Sequence, residues 1–269
     1  KKHTRYVEKL TKKLKDNIEG VKAVLSAEDI LVYGFLTGDG TECAIVYTDG
    51  MVDKALLGDL AARPLSKLTP ENKEKGFTPE EVKQTLLFPE LKEETQLQNI
   101  FAEVLDGNSL LLVDGLETGL IVGAKLLPVR TVMEPPTDIA VKGPREGFIE
   151  DIKTNMALLR KRLKTPDLKF ELQKAGKRSQ TNIAICYLDG ICDEKVKKEV
   201  AARIGEIDID CIPDSSYVAA FIAPRKHSIF REVGTTEKPD ILAAKMAEGR
   251  VGILVDGSPI ALTVPFILT

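Results

Sequence analysis

An internal repeat with a spacing of about 140 residues limits this chain of 269 residues to folds that use one module twice. The segment Ala44–Arg63 aligns without gaps with Ala184–Arg203, and nine of the 20 positions are identical. A second block aligns Leu87–Gly115 with Ile229–Gly257, and both copies end in Leu-Val-Asp-Gly. Unrelated chains of average composition would share about one or two positions in 20. The repeat therefore indicates a duplicated module.

A weaker pairing predicts where each copy begins. It aligns Tyr6–Glu8 with Phe148–Glu150, which places Leu10 over Ile152. We therefore predict a first lobe over residues 1–127, a linker over residues 128–147 and a second lobe over residues 148–269, a repeat of the first. The predicted linker contains four prolines, Pro128, Pro135, Pro136 and Pro144. Because proline fixes φ and has no N–H, such a segment favours extended, semi-rigid chain.

The hydrophobic spacing indicates the same order of elements in both lobes. An amphipathic helix opens each lobe, with apolar residues from Tyr6 to Val21 in one copy and from Phe148 to Leu163 in the other. A β-hairpin, a helix that begins near Asp53 or Asp193, an irregular stretch, another helix and a closing hairpin follow. Strands that alternate with helices in this way predict an α/β fold. We expect two tandem, related α/β subdomains, each a mixed sheet packed with helices.

Composition excludes several classes of function. The net charge is −3, so the chain as a whole lacks the basic surface that binds nucleic acid. Tryptophan is absent and aromatic residues make up 5% of the chain, which leaves few platforms for stacking bases or sugars. The four cysteines form no C-x-x-C pair and there are two histidines. We therefore expect no metal site, and each cysteine is interpreted as a buried, reduced thiol, with disulfide bonds as the alternative.

Asp-Gly pairs occur at matching places in the two copies. Asp49 and Asp189 follow a buried-type strand and precede a helix, where α/β sheets often bind ligands. Together with Asp53 and Asp193 they are candidate ligand-binding residues. The competing interpretation is that these carboxylates cap the helices that follow. The other two pairs, which begin at Asp114 and Asp256, are typical of hairpin turns.

Catalytic patterns are absent from the sequence. The glycine-rich segment Gly34–Gly40 lacks the Gly-Lys-Ser/Thr of a phosphate-binding loop. His227 has no orienting pattern around it, and neither G-x-S-x-G nor H-E-x-x-H occurs. We expect that the chain is not an enzyme and uses no cofactor.

A basic stretch, Arg160–Lys164, ends the helix that is predicted to begin near Arg145. Cations at the C-terminus of a helix complement its dipole. The alternative interpretation is a patch that faces a membrane or a partner protein.

The segments around the linker resemble the spore germinant-receptor A-subunit family, of the GerA type. The segments that carry the resemblance are Glu134–Thr137, Gly143–Phe148, Glu150–Asp151, Asn155, Leu158–Leu163, Tyr187–Gly190 and Leu254–Gly257. Gly-Pro-Arg-Glu-Gly-Phe with the helix that follows is a specific signature, and the first lobe matches more loosely. In this motif we interpret Arg145, Glu146, Asp151, Asn155, Arg160 and Arg162 as hinge-anchoring or partner-contact residues.

The resemblance implies a role in nutrient sensing and signal transduction that triggers spore germination. Family members are proteins of the bacterial spore inner membrane that work with B and C subunits. The chain would be their N-terminal hydrophilic region, adjacent to the membrane on the cytosolic, core side. A membrane domain would follow residue 269.

Two functional hypotheses remain open. Two α/β lobes joined by a hinge also describe substrate-binding proteins, so a small nutrient such as an amino acid or a sugar could bind between the lobes. Alternatively, the region assembles the receptor without binding a nutrient, through self-association of A subunits or through docking of B and C.

Overall fold

The computed structural model describes residues 9–126, 146–223 and 233–265. The chain divides into two units, Lys1–Leu127 and Pro128–Thr269. Most of the predicted linker, residues 128–145, lies outside the described residues, and this part includes Arg145. His227 also lies outside them.

The first unit contains five strands and several helices over its described residues. In chain order they are α1 (Leu14–Val24), β1 (Ile30–Leu36), β2 (Glu42–Thr48), α2 (Lys54–Leu57), a π-helix (Gly58–Ala62), α3 (Arg63–Leu65), α4 (Pro79–Thr85), β3 (Leu91–Glu94), α5 (Leu97–Leu105), β4 (Ser109–Val113) and β5 (Gly119–Val122). The opening helix, the first hairpin and the closing hairpin occur in the predicted order.

The second unit has a corresponding series. In chain order its elements are α6 (Ile152–Arg162), β6 (Leu168–Ala175), β7 (Thr181–Leu188), α7 (Glu194–Gly205), α8 (Ser215–Ile222), β8 (Gly234–Thr236), α9 (Pro239–Ala247), β9 (Val251–Val255) and β10 (Ala261–Val264). The clearest difference is that α7 is one continuous helix, whereas α2, the π-helix and α3 together take its place in the first unit.

Both units contain a five-stranded sheet with the same strand order. It is β1-β2-β4-β5-β3 in the first unit and β6-β7-β9-β10-β8 in the second. The predicted α/β class, with two similar sheet-and-helix subdomains, is confirmed. The strand directions differ from the predicted mixed sheet, because all strand pairs among the described residues are antiparallel.

The antiparallel pattern has a simple cause in the connection through α5. Strands β3 and β4 run in the same direction on either side of this helix, but β5 lies between them and pairs with both. A helical crossover that would normally give a parallel pair therefore gives two antiparallel pairs. Strand β10 separates β8 from β9 in the same way.

Each sheet is covered by helices on both faces. In β2 of the first unit, Cys43 and Ile45 belong to one core cluster with α2 and α4, whereas Ala44 and Val46 belong to another with α1 and α5. The second unit repeats this division between α7 with α8 and α6 with α9. Alternate residues of a strand point to opposite faces, so these near-continuous apolar strands fill two cores.

The opening helices begin later than predicted. Helix α1 starts at Leu14 and α6 at Ile152, not near Tyr6 or Arg145. The backbone N–H of Leu14 donates to Asp114, and that of Ile152 donates to Asp256. Leu14 is therefore the counterpart of Ile152, and the predicted pairing of Leu10 with Ile152 is wrong by four residues.

Candidate functional site

Two of the four candidate aspartates cap helices. Asp53 accepts a hydrogen bond from the backbone N–H of Leu56 at 3.0 Å, and Asp193 accepts one from that of Lys195 at 2.8 Å. Both residues have extended backbone at the N-cap position, as helix capping requires. These bonds satisfy N–H groups that the helix itself leaves without an acceptor.

Asp49 lies in a polar corner between β2 and α2. Its carboxylate forms an ion pair with the ammonium group of Lys54 at 2.6 Å, and this hydrogen bond raises the pKa of Lys54. The backbone N–H of Asp49 donates to the carbonyl of Asp29 at 2.7 Å. In the second unit, the N–H of Asp189 likewise donates to the carbonyl of Asp167 at 2.8 Å. In each unit, this bond thus joins the end of the second strand to the residue that precedes the first strand.

A cavity of about 280 Å³ opens beside the corner of the first unit. We call it the β1–α2 cavity, and its lining residues come from β1, β2, α2 and the π-helix. They are Tyr33, Ile45, Tyr47, Lys54, Leu57, Gly58 and Ala62. Tyr33 is 52% exposed and stacks on Phe35 with ring centroids 5.9 Å apart. The ammonium of Lys54 lies 5.8 Å from the centre of the Tyr47 ring.

The corresponding place in the second unit contains a polar cluster. Strand register makes Glu171 the counterpart of Tyr33, since the two pair with Ile185 and Ile45 respectively. The hydroxyl of Tyr187, the counterpart of Tyr47, donates to Glu171 at 2.6 Å. The ammonium of Lys197 lies 4.4 Å from the centre of the Tyr187 ring and 3.9 Å from the Glu171 carboxylate. Burial, with the hydrogen bond to Glu171, raises the pKa of Tyr187.

Sequence reasoning found Asp49 but missed the cavity. Tyr33 and Tyr47 are isolated aromatic residues in the sequence, and only the pairing of β1 with β2 brings them to one face. The π-helix has no counterpart in the copy, where α7 is regular. A π-helical turn is rare and often marks a functional site, but hydrophobic spacing does not predict one.

The signature residues of the second unit mostly hold the start and end of α6 in place. Asp151 caps the helix, accepting from the backbone N–H of Thr154 at 2.7 Å. The Asn155 amide accepts from the Ile149 N–H at 2.9 Å and donates to the Ile149 carbonyl at 2.6 Å. At the other end of α6, the carboxylate of Glu146 forms ion pairs with Lys161 at 2.7 Å and Arg162 at 2.6 Å.

Arg160 does not fit the alternative interpretation of the basic stretch as a patch that faces a membrane or a partner. Its side chain is 0% exposed, and its guanidinium donates to the carbonyls of Thr165 at 3.0 Å and Leu168 at 3.1 Å. The guanidinium also stacks over Phe170, 5.2 Å from the ring centre. A buried cation with these partners organises the α6–β6 connection and does not present a charge to a membrane or a partner. Arg162 remains half-buried in its ion pair with Glu146 at 2.6 Å.

Other chemistry is sparse in the described ranges. Residues 9–126, 146–223 and 233–265 contain no group of three or more His, Cys, Asp or Glu side chains arranged to hold a metal. Cys43, Cys186 and Cys192 are buried free thiols, as predicted. Cys211 is also a free thiol but is exposed, so the prediction that it is buried is wrong. Burial raises the pKa of Cys43 to about 12. No helix in these same ranges is long and apolar enough to cross a bilayer.

Comparison with known proteins identifies similar chains. Residues 14–269 match the family model described as Bacillus/Clostridium GerA spore germination protein. Spore germination protein KA of Bacillus subtilis is 34% identical over 254 residues, which cover 93% of this chain and 46% of the relative. Uncharacterized membrane protein YfkQ of the same organism is 36% identical over 254 residues, 94% of this chain and 49% of the relative. The chain thus spans about half the length of the curated relatives it matches.

One solved structure is similar over nearly the whole chain. It is the crystal structure of the N-terminal domain of the A subunit of the Bacillus megaterium spore germinant receptor GerK3. The TM-score is 0.74 at 30% sequence identity, and the match covers 98% of this chain and 99% of the other.

Proposed function

The chain belongs to the GerA family of spore germination proteins, and from this premise we propose that it acts as the N-terminal domain of a germinant-receptor A subunit. The observation that carries the proposal is the match to the GerK3 A-subunit domain over 98% of this chain. Agreement over both units, at 30% identity, is evidence for the same domain and not only for a shared sheet topology.

The proposed activity is to couple detection of a nutrient to the signal that starts germination. The domain would work beside B and C subunits at the spore inner membrane, and the remainder of the full-length protein would contain the membrane-spanning part. Relatives that are about twice as long support this arrangement, and one of them is described as a membrane protein. Recognition fits this site better than catalysis. The β1–α2 cavity and the corner at Asp49 contain one ion pair, between Lys54 and Asp49, and no nucleophile next to a base.

Deletion of the gene in its own spore-forming host tests this role. We expect spores without the gene to lose the fall in optical density that follows addition of one class of nutrient, and to keep their response to the others. Restoring the full-length gene should restore the response. If deletion spores respond like the parent to every nutrient in a panel of amino acids and sugars, the proposed role is wrong.

A second experiment separates sensing from assembly. Isothermal titration of the chain with the same panel should give heat for at least one compound at micromolar to millimolar concentration if the domain recognises the nutrient. A flat trace with every compound, together with a germination defect on deletion, would favour an assembly module that acts through A-subunit self-association or through B and C.

A further inference from the structure

Strand β1 forms one edge of the sheet in the first unit, and its outer side has no strand partner among the described residues. The N–H of Asp49 donates to the carbonyl of Asp29, and these two residues are opposite each other when the register of β1 with β2 is continued by one residue. Hydrogen-bonded and non-bonded pairs alternate along an antiparallel ladder. Val32, Gly34 and Leu36 therefore direct their N–H and C=O groups away from β2.

This outer edge of β1 is open and uncharged. The seven residues of the strand, Ile-Leu-Val-Tyr-Gly-Phe-Leu, include no charged residue and no proline. Tyr33 is 52% exposed and Leu36 is 55% exposed. Proteins usually protect an exposed edge with charged residues, with proline or with a covering element, because its N–H and C=O groups can pair with another chain. Strand β1 lacks these protections.

The equivalent edge of the second unit, strand β6, is protected in two ways. Its charged residues are Lys169, Glu171 and Lys174. In addition, the guanidinium of Arg160 donates at 3.1 Å to the carbonyl of Leu168, which by the same alternation faces away from β7. Lys22 has the position of Arg160 in the opening helix of the first unit, and its side chain is exposed. One copy of the module thus closes this edge and the other leaves it open.

The β1–α2 cavity lies beside the open edge, because Tyr33 of β1 forms part of its wall. Ile45 and Leu57 in its lining are almost fully buried. Lys54 is the charged residue of the lining, and its ammonium is already paired with Asp49 at 2.6 Å. A strand added to β1 would direct every second side chain to the face on which the cavity lies. The lining favours apolar side chains at those positions.

We propose that the first unit binds an extended segment of a partner protein as a sixth strand, added to the outer edge of β1. The backbone of the segment pairs with Val32, Gly34 and Leu36, and its alternate, apolar side chains contact Tyr33 at the cavity. Donors and acceptors that alternate along an edge are satisfied by extended backbone, so the edge determines the form of the partner. A second copy of β1 fits less well, because its Tyr33 already lines its own cavity and stacks on Phe35. Such pairing requires no nutrient and goes beyond the proposed role in germination.

Selection of random 12-residue peptides, displayed on phage, against the 269-residue chain tests the partner class. We expect enriched peptides to have apolar, uncharged residues at every second position. The best peptide is then methylated on its backbone nitrogens in two alternating sets. Methylation of the set that faces β1 should weaken binding at least about 10-fold, and methylation of the set that faces solvent should change it less than about 2-fold.

Two variants test the location by fluorescence titration with the best peptide. Gly34→Pro removes an outward N–H and keeps the bonds to β2, since proline is accepted on the outer side of an edge strand, and it should weaken binding at least about 10-fold. Tyr33→Glu places a carboxylate at the cavity, as Glu171 does in the second unit, and should weaken binding to a similar extent. Lys174→Pro is the matched control on the outer side of β6 and should bind like the unchanged chain. Circular dichroism verifies that each variant is folded.

The proposal is contradicted if no peptide is enriched, or if the enriched peptides bind Gly34→Pro and Tyr33→Glu as tightly as they bind the unchanged chain. Loss of binding by Lys174→Pro alone would place the site in the second unit and would contradict it as well. A dimer seen by analytical ultracentrifugation that Gly34→Pro dissociates would assign the edge to a second copy of the chain and not to a partner. The gene-deletion experiment is independent of these outcomes, because a germination defect would retain the receptor role even if β1 bound no peptide.

Discussion

Asp114 accepts a hydrogen bond from the backbone N–H of Leu14 at 2.9 Å, and this bond joins the closing hairpin of the first unit to the start of its opening helix across 100 residues of sequence. The adjacent Gly115 N–H donates to the carbonyl of Lys12 at 2.7 Å. The second unit repeats both bonds, from Ile152 to Asp256 at 3.4 Å and from Gly257 to Glu150 at 2.8 Å. An Asp-Gly pair predicted as a turn therefore also fixes the N-terminus of a helix.

Replacing Asp114 should destabilise the first unit. We expect Asp114→Ala to lower the free energy of unfolding by about 1 kcal/mol, the usual effect of removing a carboxylate that accepts an N–H at the start of a helix. Asp114→Asn keeps an acceptor oxygen and should cost less than half of that. Urea unfolding followed by circular dichroism measures both. Equal effects of the two variants would show that the hydrogen bond is not the source of the stability.

Arg160 should be among the most sensitive positions of the second unit. Arg160→Met removes the cationic donor that the carbonyls of Thr165 and Leu168 share, and we expect the free energy of unfolding in urea to fall by about 2–4 kcal/mol. Arg162→Met, two residues away, breaks a partly exposed ion pair with Glu146 and should cost less than about 1 kcal/mol. If the two variants lose similar amounts, the structural role given to Arg160 is contradicted.

Cysteine reactivity should follow burial. Thiolate is the reactive form, and a pKa of about 12 leaves Cys43 ionised in roughly one molecule in 10,000 at pH 8. We expect iodoacetamide at pH 8 to modify Cys211 in the native chain, while Cys43, Cys186 and Cys192 react only after denaturation. Mass spectrometry of peptides from native and urea-treated samples measures this. Rapid native labelling of Cys43 would contradict the packing of β2.

The first hairpin should contain a carboxyl group with a depressed pKa. The hydroxyl of Thr37 donates to Asp39 and lowers its pKa below the usual value. The stabilisation from this bond is therefore present above about pH 4 and is lost as the pH falls through the lower, folded-state pKa. Thr37→Val should raise the pKa of Asp39 toward 3.9, as measured by carboxyl-carbon NMR titration. An unchanged titration would assign the depression to another group.

Much of the fold follows from the sequence because strands and hairpins are encoded locally. Apolar runs such as Cys43–Val46 and the Asp-Gly turns predict β2 and the closing hairpins directly. The α/β class follows from the order of these elements. The inference of a duplicated module is supported by the common strand order and by matching hydrogen bonds such as those of Asp114 and Asp256.

The opening helices show why element boundaries were harder to predict. A shift of four residues is close to one helical turn of 3.6 residues, so Leu10 and Leu14 fit the apolar face of a helix equally well. The residues that fix the true starts of the two helices, Asp114 and Asp256, lie 100 and 104 residues away in sequence. Long-range bonds of this kind have no local signal.

The candidate site was predictable only in part. Asp53 and Asp193 are caps, an alternative that the strand-to-helix position already indicated, and Asp49 lies where the pattern placed it. The cavity depends on the register of β1 against β2, which brings Tyr33 beside Ile45, and on the π-helix that follows Leu57. Neither feature has a periodicity that a single sequence reveals.

The proposal that this domain acts in a germinant receptor is tested most directly by germination of spores of its own host. The dose of nutrient that gives a half-maximal fall in optical density is measured, over a panel of amino acids and sugars, for the parent strain, a deletion strain and a deletion strain that carries the restored full-length gene. We predict that deletion raises this dose at least about 10-fold for one class of nutrient and that the restored gene returns it to the parent value. Identical dose–response curves for all three strains with every nutrient would contradict the proposal.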